Sequence, residues 1–157
     1  MISKLTEILP GSKAPDFNLM NVNGEARTNE NYFKKHLYIQ FVDFSIKESE
    51  KELELLKPLY TKYKGDIEFI TIYKHPKTLS KKQETLLKEI SWEKFEVDAS
   101  HEVFKRFKID AYPSYVLIDA YGYIVSAPAL KPTPNGQYET IDKPFFFIQK
   151  LNKELKN

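Results

Sequence analysis

The chain has 157 residues, 41% of them hydrophobic and 14% aromatic, enough for one domain with a sizeable core and too few for two ordinary ones. Its 24 basic and 22 acidic residues are spread along the whole length and leave a formal net charge of +2, so no strong overall field draws it to nucleic acid or to an anionic membrane. It has no cysteine, which excludes disulfide staples, thiolate metal ligands and every thiol-based redox cycle without fixing the compartment.

No run approaches the roughly 18 apolar residues of a membrane span, and the N-terminus lacks the basic-then-apolar pattern of a signal peptide. The chain as given is therefore expected to be soluble. Residues 1–13 show no sustained period and read as a lead-in or linker to a single domain covering the rest. A first strand is expected at residues 17–20, and Asn21-Val22-Asn23-Gly24 is a turn signal that makes the opening a β-hairpin. A short helical turn follows at residues 29–35.

Residues 37–42, Leu-Tyr-Ile-Gln-Phe-Val, are almost continuously apolar, which predicts a strand buried on both faces at the centre of a sheet. The chain then passes through a short turn into a helix at residues 47–64. Ser45 and Glu48 are spaced as a capping box for it. Leu53, Leu56, Tyr60 and Tyr63, with Leu55 and Leu59 beside them, mark its buried face. Pro58 inside the helix predicts a bend near Glu54, whose carbonyl loses its usual donor.

A strand at residues 67–73 comes next, then a helix from Ser80 to about residue 90, opened by a second capping box with Gln83. Trp92 reads as a packing residue beside that helix, and residues 95–98 as a short strand. Ser100 is placed to cap a helix at residues 101–107 that turns Val103, Phe104 and Phe107 inward. Gly122 marks a hairpin between strands at residues 115–118 and 123–126. Pro128, Pro132, Pro134 and Asn135-Gly136 predict a loop. Asp142 and Pro144 then open a last helix that buries Phe145, Ile148, Leu151 and Leu155.

Three stretches carry a resemblance. Gly11-Ser-Lys-Ala-Pro-Asp-Phe17 is similar to a G-x-x-A-P-D-F signature. Residues 37–73 join an apolar strand, a helix ending in Tyr63-Lys64-Gly65 and a second strand. Residues 107–125 are similar to the pattern Y-x-V-x-x-x-P-T-x-x-L-I-D-x-x-G-x-I-V. Together these resemble thioredoxin-like proteins of the TlpA and AhpC/TSA (redoxin) type, from about Gly11 to the end of the chain. The resemblance implies an α/β thioredoxin-like fold: a central mixed β-sheet flanked by helices, an N-terminal β-hairpin and a central helical insertion of the TlpA type. It also implies a cis peptide before Pro113 and a bacterial periplasmic or cell-envelope location.

In that family a C-x-x-C pair at the strand-to-helix junction exchanges disulfides. An ungapped count back from Tyr63-Lys64-Gly65 puts the first cysteine position on Ile46, the second on Ser49 and a buried proton-relay carboxylate on Gln40. All three are replaced. Ser49 has no histidine or glutamate visibly arranged as its base. His75, His101 and Asp98 lack thiolate partners and an i, i+4 histidine pair, so no metal site and no cofactor are read from them. The leading expectation is a redox-inactive binding or structural module, whose candidate partner groove is formed by Phe44, Ile46, Tyr112 and Pro113. The alternative is an enzyme of the thioredoxin/redoxin family that uses non-cysteine chemistry or has had its cysteines engineered out.

Overall fold

In the computed structural model, residues 8–132 and 139–156 are described. Two short strands, β1 (Asn18–Met20) and β2 (Ala26–Thr28), pair antiparallel as the opening hairpin, and a 3-10 turn covers Asn29–Tyr32. The main sheet has five strands, β3 (His36–Val42), β4 (Ile67–Lys74), β5 (Glu93–Val97), β6 (Ser114–Ile118) and β7 (Ile124–Ser126), in the order β5-β4-β3-β6-β7. The β5-β4 and β4-β3 pairs are parallel, and the β3-β6 and β6-β7 pairs are antiparallel. Among the described residues, α1 (Lys47–Tyr63), α2 (Lys81–Glu89) and α3 (Glu102–Arg106) lie between strands, and α4 (Asp142–Lys156) follows the last one.

The alternation of strand side chains explains why β3 is central. Leu37, Ile39 and Phe41 enter one core with Ile70, Ile72, Phe95, Phe104 and Val116. Tyr38 and Val42 enter the other, with Leu53, Leu56, Tyr63, Phe69 and Phe145. Both faces of the strand are thus sealed, and Gln40 is a polar residue in its middle. The 3-10 turn and the β6-β7 hairpin meet at Gly122. Its φ of +92° suits glycine, and a Cβ there would fall 2.8 Å from the Phe33 ring.

Several local expectations are corrected. Ser45 does not cap α1: Ile46 occupies the N-cap position in extended conformation, and the Ser45 N–H and Oγ–H both donate to Asp43 Oδ1 at 2.9 and 2.7 Å. Ser100 does not cap α3 either; His101 does, its Nδ1 accepting from the Val103 N–H at 3.0 Å. In α4, Phe145 and Ile148 are buried, whereas Leu151 and Leu155 are exposed. They lie on the outward side of the helix with Phe147, while Gln149 and Asn152 take the inward positions of its second half, donating to the Lys62 carbonyl and to Asp66 Oδ1 at 3.5 and 3.1 Å. By contrast Pro58 lies inside α1, as expected. Ser80 and Gln83 form the expected reciprocal capping box of α2. The loop signal at Pro134 and Asn135-Gly136 lies outside the described residues.

Candidate functional site

The carboxyl end of β3 leads into a tight turn built around Asp43. Its carbonyl accepts from the Ile46 N–H at 2.9 Å, while its carboxylate holds Ser45. Burial opposes the charge on Asp43. The hydrogen bonds from Ser45 and the nearby Lys74 ammonium, 3.8 Å away, outweigh it and leave the carboxyl below its usual range. The same Lys74 Nζ lies 4.3 Å from the centroid of the Tyr112 ring and 5.6 Å from that of Phe104. One lysine therefore ties the β3-α1 turn to the segment before β6 by charge and by cation–π contact. Burial, helped by Asp43 and Asp110, pushes the Tyr112 hydroxyl up to about 12.

Ile46 is 38% exposed at the mouth of this turn. Ser49, one turn into α1, is fully buried, and its Oγ accepts from the Asp43 N–H at a long 3.3 Å. Beneath it runs a chain of buried hydrogen bonds. Trp92 Nε1–H donates to Thr71 Oγ1 at 2.8 Å, Thr71 Oγ1–H to Gln40 Oε1 at 2.9 Å, and Gln40 Nε2–H to Tyr115 Oη at 3.0 Å. Tyr115 Oη–H then donates to Glu52 Oε1 at 2.7 Å, and Lys131 Nζ stands 3.9 Å from Glu52 Oε2. Both polar ends of the Gln40 amide are satisfied, so it holds its place in the core as a structural bridge. An amide does not titrate near neutrality, and it takes no part in proton transfer of the carboxylate kind.

Glu52 is the residue that sequence reasoning passed over. It is 5% exposed, and burial raises its carboxyl above the usual range despite the opposing Tyr115 hydrogen bond and Lys131. Its signal was readable: Glu52 sits four residues before Leu56 and three after Ser49, on the stripe that faces the core. Trp92 is more than packing. Besides lying 5.1 Å from the Tyr60 ring and 6.1 Å from Phe69, it supplies the first donor of the chain.

The four residues of the candidate groove are not brought together as one exposed surface. Phe44 is buried, its ring 5.4 Å from Tyr73 in an edge arrangement, and its carbonyl accepts from Gln83 Nε2 at 3.2 Å. Pro113 is buried as well, which leaves Ile46 exposed and Tyr112 half-buried. The Tyr112-Pro113 and Ala127-Pro128 peptides are cis. Next to the turn, a concavity of about 690 Å³ opens between the ends of β3 and β4 and the start of α2, with Lys74, His75, Thr78 and Gln83 in its wall. His75 pairs with Glu96, and Asp98 accepts from Ser100. No group of three or more histidine, aspartate or glutamate residues that could hold a metal occurs among the described residues.

No protein-family model matches the chain, and no curated protein sequence does. Solved structures do. The C-terminal domain of a putative thiol-disulfide oxidoreductase from Bacteroides thetaiotaomicron is 25% identical, with 91% of this chain and 96% of that one covered and a TM-score of 0.70. The fold is thioredoxin-like. A putative thiol-disulfide oxidoreductase from Bacteroides vulgatus is also 25% identical, over 87% and 94% of the two chains, with a TM-score of 0.67. A putative thiol:disulfide interchange protein DsbE from Chlorobium tepidum is 17% identical over 93% and 98%, with a TM-score of 0.66. Structural neighbours of this thioredoxin-like chain are thus thiol-disulfide oxidoreductase domains and a DsbE thiol:disulfide interchange protein, while this chain has no cysteine. No helix among the described residues is long and apolar enough to cross a membrane.

Proposed function

We propose that this chain is a redox-inactive thioredoxin-like domain that serves as a binding or structural module and descends from a thiol-disulfide oxidoreductase of the bacterial envelope. The observation that carries the reading is the state of the strand-to-helix junction. Where an oxidoreductase needs an exposed thiolate and a resolving thiol, there is an isoleucine at the N-cap and a serine closed into the core. Neither can pass electrons. Ser49 also lacks what a serine nucleophile requires: no base lies within hydrogen-bonding reach of it among the contacts of the described residues, and its Oγ is occupied by the Asp43 N–H.

What remains at the mouth is the exposed Ile46 and, in the segment before β6, the half-buried Tyr112, whose ring lies against Lys74. An extended peptide can be held there by backbone pairing and by apolar contact without any covalent step. The test is an amide NMR titration of the chain with carboxymethylated insulin B chain, an unfolded peptide that cannot exchange disulfides. Shifts at Ile46, Tyr112 and Ser114 that vanish in Ile46→Asp are expected. Shifts scattered elsewhere, or none, would remove the binding half of the proposal and leave a scaffold.

A further inference from the structure

The last helix carries a surface that the former active site does not use. Inward, α4 packs Phe145 against Tyr38, Tyr63 and Phe69 with ring centroids 5.0 to 5.5 Å apart. Outward, it leaves Phe146, Phe147, Leu151 and Leu155 at 56, 62, 43 and 85% exposure. Phe147, Leu151 and Leu155 follow at intervals of four, so they form one stripe along the helix. At about 100° per residue, Lys143 and Lys150, with Glu154, fall on the flank between that stripe and Phe146, and Lys153 lies just beyond Phe146. All three lysines are exposed. Lys143 pairs with Glu139 at 2.7 Å, and Lys150 and Lys153 form no ion pair with another described residue.

The charge is as lopsided as the apolar surface. Helix α4 holds four lysines and two acidic residues, Asp142 and Glu154, so it is net +2 and the remainder of the chain is neutral. The whole positive excess of the protein therefore sits on the helix that exposes two phenylalanines and two leucines. A polar flank rich in lysine beside a Phe/Leu stripe is the pattern of a helix lying in a bilayer interface.

We propose that the outer face of α4 docks on an anionic lipid surface, with Phe147, Leu151 and Leu155 inserted at the headgroup boundary and Lys150 and Lys153 against the headgroup phosphates. Charge complementarity selects this occupant over a second copy of the chain. In a two-fold antiparallel pairing of the stripes, the flank carrying Lys143, Lys150 and Glu154 of one helix would face the same net-positive flank of the other. The long lysine stems can instead lie along apolar surface while their ammonium groups reach the phosphates. The inference is independent of the proposed loss of redox chemistry and stands or falls separately.

Co-sedimentation of the full chain with vesicles tests it, using phosphatidylcholine alone and phosphatidylcholine mixed with phosphatidylglycerol. The chain should pellet with the mixed vesicles and not with the neutral ones, and added salt should weaken the partition. Reversing two charges, in Lys150→Glu with Lys153→Glu, should reduce the partition coefficient by about 30-fold or more. Phe147→Ser with Leu151→Ser should reduce it at least about tenfold. The preference of the unmodified chain decides the matter even if a variant folds poorly. Equal partition to both vesicles, no partition to either, or a dimer by light scattering that Leu151→Ser dissolves would each overturn the proposal.

Discussion

Tyr115 on β6 donates its hydroxyl hydrogen to Glu52 on α1 across 2.7 Å, and this bond closes the buried chain that begins at Trp92. Burial holds the Glu52 carboxyl above its usual range, so the folded protein binds that proton more tightly than the unfolded chain does. The contribution to stability is fully present below the unfolded pKa and is lost as pH rises through the folded pKa. Glu52→Gln keeps the acceptor and removes the titration. Urea midpoints measured from pH 4 to 8 should therefore lose part of their decline with rising pH in this variant. Glu52→Ala, which leaves the Tyr115 hydroxyl unpaired, should cost about 1–3 kcal/mol.

Thr71 stands at the middle of the same chain, accepting from Trp92 and donating to Gln40. Thr71→Val preserves shape while stranding the indole N–H and the Gln40 Oε1 in the core. A loss of about 1–3 kcal/mol is expected by urea denaturation. Adding Trp92→Phe should then cost less than it does in the native background, because its hydrogen-bond partner is already gone.

Lys74 links Asp43 to the Tyr112 ring. Lys74→Met keeps the apolar stem and removes both attractions, so it should lower stability by about 0.5–1 kcal/mol and Tm by roughly 1–4 °C. The pH signature separates the two contacts. The carboxyl of Asp43 is held below its usual range, so its contribution is present above the unfolded pKa and is lost as pH falls through the folded pKa. Thermal melts taken toward pH 3 should therefore show a smaller acid-side loss in Lys74→Met than in the native protein.

Much of the fold could be read from the chain because the signals were local. The apolar run of β3 declared burial on both faces, and the Ser80/Gln83 box and the Gly122 turn are chemistries that work within a few residues. The errors share a cause. Ser45 had the right spacing for a cap but the carboxylate of Asp43, two residues before it, was the stronger partner. Leu151 and Leu155 kept a helical period, but it is the period of the outward stripe begun by Phe147, and the inward positions beside them hold Gln149 and Asn152. At the junction, the absence of cysteine was plain from the sequence, whereas the inward turn of Phe44 depended on Tyr73, 29 positions on. Glu52 and Lys74 act through residues far away in sequence, and their roles became visible only when the strands were laid side by side.

The central claim is that the thioredoxin-like scaffold is intact and only its electron-carrying chemistry is gone. Insulin reduction by dithiothreitol, followed as turbidity, measures this in one experiment with the native chain and with Ile46→Cys/Ser49→Cys in parallel. The native chain should give no rate above the uncatalysed background, and the double variant should accelerate the reaction. Catalysis by the native, cysteine-free chain would contradict the claim outright.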